Sequence, residues 1–331
     1  MALKRVKLPW WHAPKLVFVL AVLVAIVSVS ASADVVNFPD PGLEAAIREE
    51  IGIPTGDIQD SDLTGVTHLS ASERGISELE GIQYCVNLVY LDLWDNRIDD
   101  ISALSTLTTL EYLDLWDNQI DDISALSTLT TLEYLDLEGN QIVIIPDLSD
   151  LTVLEELYLD GNQVIDISAL SDLTSLRRLS LDDNQIVDIS PLSGLTDLVY
   201  LYLQGNQIFD ISALVDAAGL GALNRLYIRY NCLQVTLGSD DRQDIQALID
   251  RGVTVYFEPQ NAFCSAIGGD INGDGVVGLV DVRLCLQIAD GVLTGTPQQR
   301  QAADVDGDGD VDMDDVKILS EYAIGIRPTL P

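Results

Sequence analysis

Asparagine recurs every 22 residues through the middle of the chain. Asn96, Asn118, Asn140, Asn162, Asn184 and Asn206 keep the step, and Asn231 follows after a three-residue insertion. Leu88, Leu110, Leu132, Leu154, Leu176 and Leu198 keep it as well. The units LVYLDLWDNRIDDISALSTLTT (88–109) and LEYLDLWDNQIDDISALSTLTT (110–131) differ at two positions, the mark of recent duplication. A worn copy precedes them, with Val66, Leu69, Ala71, Ile76, Leu79 and Ile82 in the apolar places and Arg74 where the Asn belongs. A unit this short cannot bury its own apolar face, so the copies must stack into a solenoid.

The grammar of one unit says how it coils. In Tyr90-Leu91-Asp92-Leu93-Trp94 polar and apolar residues alternate as in a strand, Leu91 and Leu93 pointing one way and Tyr90, Asp92 and Trp94 the other. The Asn turns the chain, and its side chain can bond backbone groups of adjacent coils. Asp100 and Ser102 suit the start of a short helical turn, after which Leu104 and Leu107 return to the core. The pattern over residues 66–235 resembles bacterial leucine-rich repeats of the internalin kind, L-x-x-L-x-L-x-x-N-x-I-x-D-I-S-x-L. That resemblance implies an α/β solenoid, with a concave parallel sheet of about seven or eight strands and short 3-10 or helical segments on the convex side.

Open ends of such a stack need covers. Residues 41–51 read as an amphipathic helix within an N-terminal cap (34–65). Residues 239–251 read as a helix starting at Ser239, with Ile245, Leu248 and Ile249 inward, and 253–257 as a last strand, within a C-terminal cap (236–258).

The outward strand positions carry Tyr90, Tyr112, Tyr134, Tyr158, Tyr202 and Tyr227, the tryptophans Trp94 and Trp116, and acids including Asp92 and Asp114. Aromatic groups on a rigid sheet give large contact area at low entropy cost and suit a binding surface for an extended or basic protein segment, or a glycan. Cross-strand packing as a solvated ladder is the alternative.

Beyond a linker (259–268) comes a different chemistry, over 269–327. Two twelve-residue loops start 34 residues apart, DINGDG ending at Asp281 and DVDGDG ending at Asp315. Oxygen ligands at positions 1, 3 and 5, a Gly at 6 and an acid at 12 make the EF-hand-like pattern for calcium. Loop one assigns Asp270, Asn272, Asp274 and Asp281 by side chain and Val276 by carbonyl, with a water at Gly278. Loop two assigns Asp304, Asp306, Asp308 and Asp315, the carbonyl of Asp310, and Asp312. Two Ca2+ ions are expected. Each loop runs into a helix, and the first helix of a full EF-hand is expected to be missing from each unit. The duplicated loop–helix resembles a type I dockerin, which implies a small all-α fold, calcium-dependent folding and docking to a cohesin domain on another protein. Family dockerins often carry Ser-Thr at loop positions 10 and 11; here Leu279-Val280 and Met313-Asp314 stand there, which puts ordinary cellulosomal partners in doubt and suits a more hydrophobic docking surface, unless Leu279 and Met313 pack on their own helices.

Lys4, Arg5, Lys7 and Lys15, an apolar run from Leu16 to Val27 and Ala31-Ser32-Ala33 describe a secretory signal peptide (1–33) cleaved after Ala33, with an uncleaved anchor as the alternative. The expected protein is extracellular and monomeric, with no membrane span after cleavage. In that compartment Cys264 could pair with Cys285 or with Cys232, while Cys85, aligned with Leu107, reads as a buried free thiol.

With 53 acidic and 17 basic residues, a net charge of −36 and a pI near 4.1, the surface repels nucleic acid. No Ser-His-Asp order, P-loop or dinucleotide fingerprint is present; His12 lies in the signal and His68 stands alone. The sequence therefore describes a non-catalytic binding or adaptor protein. An accessory subunit of an extracellular polysaccharide-degrading complex and, further off, a glycoside hydrolase using concave carboxylates are the alternatives.

Overall fold

The structure is a computed structural model. It describes residues 34–216, 223–236, 238–260, 271, 277–295, 297–305 and 310–324; the expected signal peptide lies outside them. The chain opens with β1 (Val35–Val36) and α1 (Pro41–Ile51), then β2 (Ile58–Gln59), antiparallel to β1, and α2 (Asp60–Leu63). The coils contribute β3 (His68–Ser70), β4 (Tyr90–Asp92), β5 (Tyr112–Asp114), β6 (Tyr134–Asp136), β7 (Glu156–Tyr158), β8 (Arg178–Ser180) and β9 (Tyr200–Tyr202). They are followed by α3 (Ser212–Asp216), β10 (Arg225–Tyr227), α4 (Asp240–Asp250) and β11 (Thr254–Tyr256). The C-terminal module holds α5 (Leu279–Ala289), α6 (Pro297–Ala303) and α7 (Met313–Ala323).

Strands β3 to β11 form one parallel sheet in sequence order, nine strands among the described residues. That exceeds the expected count because the worn first copy and the C-terminal cap both join: ladder bonds use backbone groups, which do not depend on a unit keeping its consensus side chains. Neighbouring strands pair leucine with leucine, Leu91 with Leu113 and Leu113 with Leu135.

Inside each coil the repeated apolar residues are sealed. Leu88, Leu91, Leu93, Ile98, Ile101, Leu104 and Leu107 all lie in the core. The Asn column is buried with them and knits coil to coil. Asn118 Nδ2 donates to the Leu115 carbonyl of its own turn at 3.0 Å and to the Leu93 carbonyl of the preceding coil at 3.1 Å, and its Oδ1 accepts from the Ile98 N–H at 3.0 Å. Asn96, Asn140, Asn162, Asn184 and Asn206 repeat this wiring. The residue before each Asn takes a left-handed conformation: Gly139, Gly161 and Gly205 do so freely, whereas Asp95, Asp117 and Asp183 do so at φ near +50°. On the back, Asp100 accepts from the Ser102 N–H at 2.8 Å and starts a 3-10 turn, Ser102–Thr106, as the sequence predicts.

Both ends are covered. Asp40 caps α1 through the N–H groups of Gly42 and Leu43, and its second oxygen accepts from Ser77 of the worn copy at 2.9 Å. In α4, Ile245 and Leu248 are buried, but Ile249, expected inward, is exposed in the helix's last turn.

The module packs α5 against α7 around Leu284, Cys285, Ile288, Val316 and Leu319. One expectation is corrected: a helix, α6, does precede the second loop. It is short, starts at Pro297 and buries Ala302 and Ala303 in the module core. Cys85 is a buried free thiol as expected. Cys285 is also free and buried, which removes the Cys264–Cys285 pairing; Cys232 is disulfide-bonded, and Cys264 lies outside the described residues.

Candidate binding face and calcium loops

Each strand presents outward positions two residues apart, so the open side of the sheet is a grid. One column reads Tyr90, Tyr112, Tyr134, Glu156, Arg178, Tyr200, Arg225; the next reads Asp92, Asp114, Asp136, Tyr158, Ser180, Tyr202, Tyr227, Tyr256. Beyond the strands the same step continues through Trp94, Trp116, Glu138, Asp160 and Asp182.

The rings stack. Tyr90 lies 4.4 Å from Tyr112, and Tyr112 lies 4.3 Å from Tyr134 with planes 7° apart. Trp94 and Trp116 stack at 5.4 Å, and Trp116 is 38% exposed. A second ladder runs Tyr202, Tyr227, Tyr256 at 4.7 and 4.5 Å. The expected aromatic surface therefore divides into an N-terminal group, carrying Tyr90, Tyr112, Tyr134, Trp94 and Trp116 with Asp92 and Asp114, and a C-terminal group, carrying Tyr202 and Tyr227. Tyr158 lies between them, its hydroxyl donating to Glu156 at 2.6 Å and accepting from Arg178 at 3.2 Å. Tyr256 completes the second ladder and was legible only from the register of the last strand. Arg178 lies over the Tyr200 ring, 4.9 Å from its centroid, and Arg229 over Tyr256 at 5.4 Å, so the few cations cluster at the C-terminal half.

Carboxylates concentrate in the middle of the face. Burial pushes Asp136 up to about 6, reinforced by the charges of Asp114 and Asp160 and opposed by hydrogen bonds from the Glu138 N–H and the Tyr134 hydroxyl. Burial likewise pushes Asp182 up to about 6, with Gln204 hydrogen bonds opposing. Asp114, Glu138 and Asp160 are raised too, burial first in each. Such a row favours anything that brings positive charge to it.

In the module the two loops mirror one another. Asp281 is wholly buried, its oxygens accepting from the N–H groups of Ile271 and Gly278 at 2.7 Å each. Asp315 is buried likewise and accepts from Val305 at 2.8 Å and Asp312 at 3.0 Å. Each position-12 carboxylate is thus held by positions 2 and 9 of its own loop. Asp304 is half-buried and Asp310 exposed; Asp312 caps α7 by accepting from the Asp314 N–H at 2.8 Å. Asp270, Asn272, Asp274, Val276, Asp306 and Asp308 lie outside the described residues. The donor set is hard oxygen throughout, without thiolate or imidazole, and fits calcium. Leu279 and Met313 are 68% and 56% exposed, so neither packs on its own helix.

Comparison with known proteins agrees with both halves. Models described as leucine-rich repeats match residues 86–128, 152–194 and 174–216, and another 108–164; the dockerin type I domain model matches 268–322. Internalin H of Listeria monocytogenes is 45% identical over 65 residues, which span 19% of this chain and 12% of that protein's length. The crystal structure of internalin C2 from Listeria monocytogenes is similar at 35% identity and TM-score 0.60, covering 66% of this chain and 94% of that one. A leucine-rich repeat protein of Leptospira interrogans follows at 25% identity and TM-score 0.51, covering 59% of this chain and 50% of that one. Among the described residues no helix is long and apolar enough to cross a membrane. The chain belongs to the internalin-type leucine-rich repeat family and joins its solenoid to a dockerin type I module.

Proposed function

We propose that this chain is a secreted, non-catalytic adaptor. The open sheet face recognises a protein ligand, and the C-terminal module binds two calcium ions and docks to a cohesin-like partner. The observation that supports the first half is the pair of stacked ring ladders flanking a row of half-buried carboxylates: rigid, already ordered groups lose little entropy on contact. The matched burial of Asp281 and Asp315 supports the second. Leu279 and Met313, exposed at position ten of their loops, are the partner-facing residues, and their chemistry calls for an apolar counterpart where family members present Ser and Thr.

The test uses the full chain against a panel of cohesin domains, in calcium and in chelator. Binding that requires calcium and falls at least tenfold with Leu279→Asp and Met313→Asp supports the reading; binding indifferent to both sinks it. Trp94→Ala combined with Trp116→Ala should abolish target capture by the sheet face while leaving the fold intact. The planar Trp94–Trp116 pair also suits a sugar ring, so a glycan array is the second assay; polysaccharide binding lost in the same double variant favours the accessory subunit of a polysaccharide-degrading complex.

A further inference from the structure

Three residues after each Asn, the coils change character along the stack. Asp99 and Asp121 hold that place in the first two consensus units and are exposed. Val143, Ile165, Val187 and Phe209 hold it in the next four. The substitution lies outside the apolar repeat that fills the core, so coil stacking does not require it. It builds an apolar column down one flank of the solenoid.

Half of this column is covered, and the cover is the chain's own C-terminal module. Val187 is 5% exposed and belongs to the module's apolar cluster with Leu284, Cys285 and Ile288, and Phe209 packs on the same cluster. Arg283, on the exposed side of α5, forms an ion pair with Asp166, the residue next to Ile165 on the column. Val143, at the far end, is 45% exposed.

We propose that this flank column is a seat for the calcium module, which is carried at a fixed place on the solenoid rather than at the end of a free linker. Burial of Val187 and Phe209 drives the contact, and Arg283 with Asp166 sets its register, the role a single exposed ion pair performs better than stabilisation. Along the seam an open cleft of about 170 Å³ is lined by Val187, Asp188 and Asp210 on the flank and Val292, Leu293 and Gln299 on the module. The seat leaves Leu279 and Met313 exposed. It also ties seating to the first calcium loop, since Asp281 lies two residues before Arg283 on the same helix.

The experiment is small-angle scattering of the full chain in calcium, comparing the parent with Val187→Asp plus Phe209→Asp. Asp is what the first two units carry at this register, so the solenoid keeps its fold; retention of its thermal transition and of the calcium-dependent helical signal is the control. The expected result is a larger maximum dimension and the scattering of a mobile two-part molecule, matched by the parent once calcium is removed. Arg283→Glu should loosen the seat partially, and Asp166→Arg on that background should restore it. Scattering from the double aspartate variant indistinguishable from the parent overturns the proposal, as does a parent that scatters as a mobile pair in calcium. Neither result bears on cohesin or target binding, which are read separately.

Discussion

Asn118 donates to the Leu93 carbonyl across the boundary between two coils, 25 residues apart in sequence and 3.1 Å apart in space. The same side chain accepts from the Ile98 N–H. Asn118→Ala removes both and strands a buried N–H, at a cost of about 1–3 kcal/mol for the unsatisfied donor alone. Thr109→Ala, which removes the hydroxyl's 2.7 Å bond to the Leu88 carbonyl at the solvent edge, should cost under about 1 kcal/mol. Chemical unfolding of both variants, followed by circular dichroism, checks the ranking.

Asp117 sits at φ +53° where Gly139 of the next unit sits at +67°. A left-handed Asp is strained by roughly 1 kcal/mol, which Gly avoids at some cost in unfolded-state entropy. Asp117→Gly should be neutral to stabilising by up to about 1 kcal/mol. A clear drop in the melting temperature contradicts this account of the turn.

Asp136 ionises near 3.8 when unfolded and near 6 in the folded chain. Between those values the folded chain holds more protons, so this group's contribution to stability falls as pH rises and is least favourable above pH 6. Asp136→Asn should then stabilise the solenoid by about 1–3 kcal/mol at neutral pH, with partial exposure pulling toward the lower figure. The gain should shrink as pH drops through 6 and vanish below about pH 4. The difference between variant and parent melting temperatures at several pH values isolates this group; a pH-independent difference assigns the effect to packing.

Asp281→Asn keeps an oxygen for the Ile271 N–H and removes the charge. Calcium affinity of the first loop should fall at least tenfold, because ligand charge count sets affinity in such loops. The solenoid transition should stay in place. Isothermal titration with calcium reads the first, and calorimetric scanning in calcium reads the second.

Much of this fold is legible in the sequence. The coil period, the buried leucines, the Asn ladder and the Asp100–Ser102 turn follow from spacing, because each unit meets the same environment and side chains report it directly. The matching places of the two position-12 acids are legible for the same reason, and Asp281 and Asp315 are both buried there. What escaped depends on contacts that spacing does not encode. Pro297-Gln-Gln-Arg-Gln shows no helical apolar period, and α6 forms because two alanines find a cover. Ile249 has the phase of an inward residue, yet the last turn of α4 leaves it exposed. The raised pKa of Asp136 comes first from its burial on the sheet face and then from the charges of Asp114 and Asp160, both of which depend on packing. The flank substitutions at Val187 and Phe209 were visible as letters, yet only the seated module gives them a purpose.

The near-identical units 88–109 and 110–131 lie upstream of every residue of that seat. Unequal crossing-over between them would add or delete a whole coil, lengthening or shortening the recognition surface by one strand. The distance from Val187 and Phe209 to the tail would not change. A lineage carrying this architecture can retune what it grips by copy number while its harness to the partner stays the same.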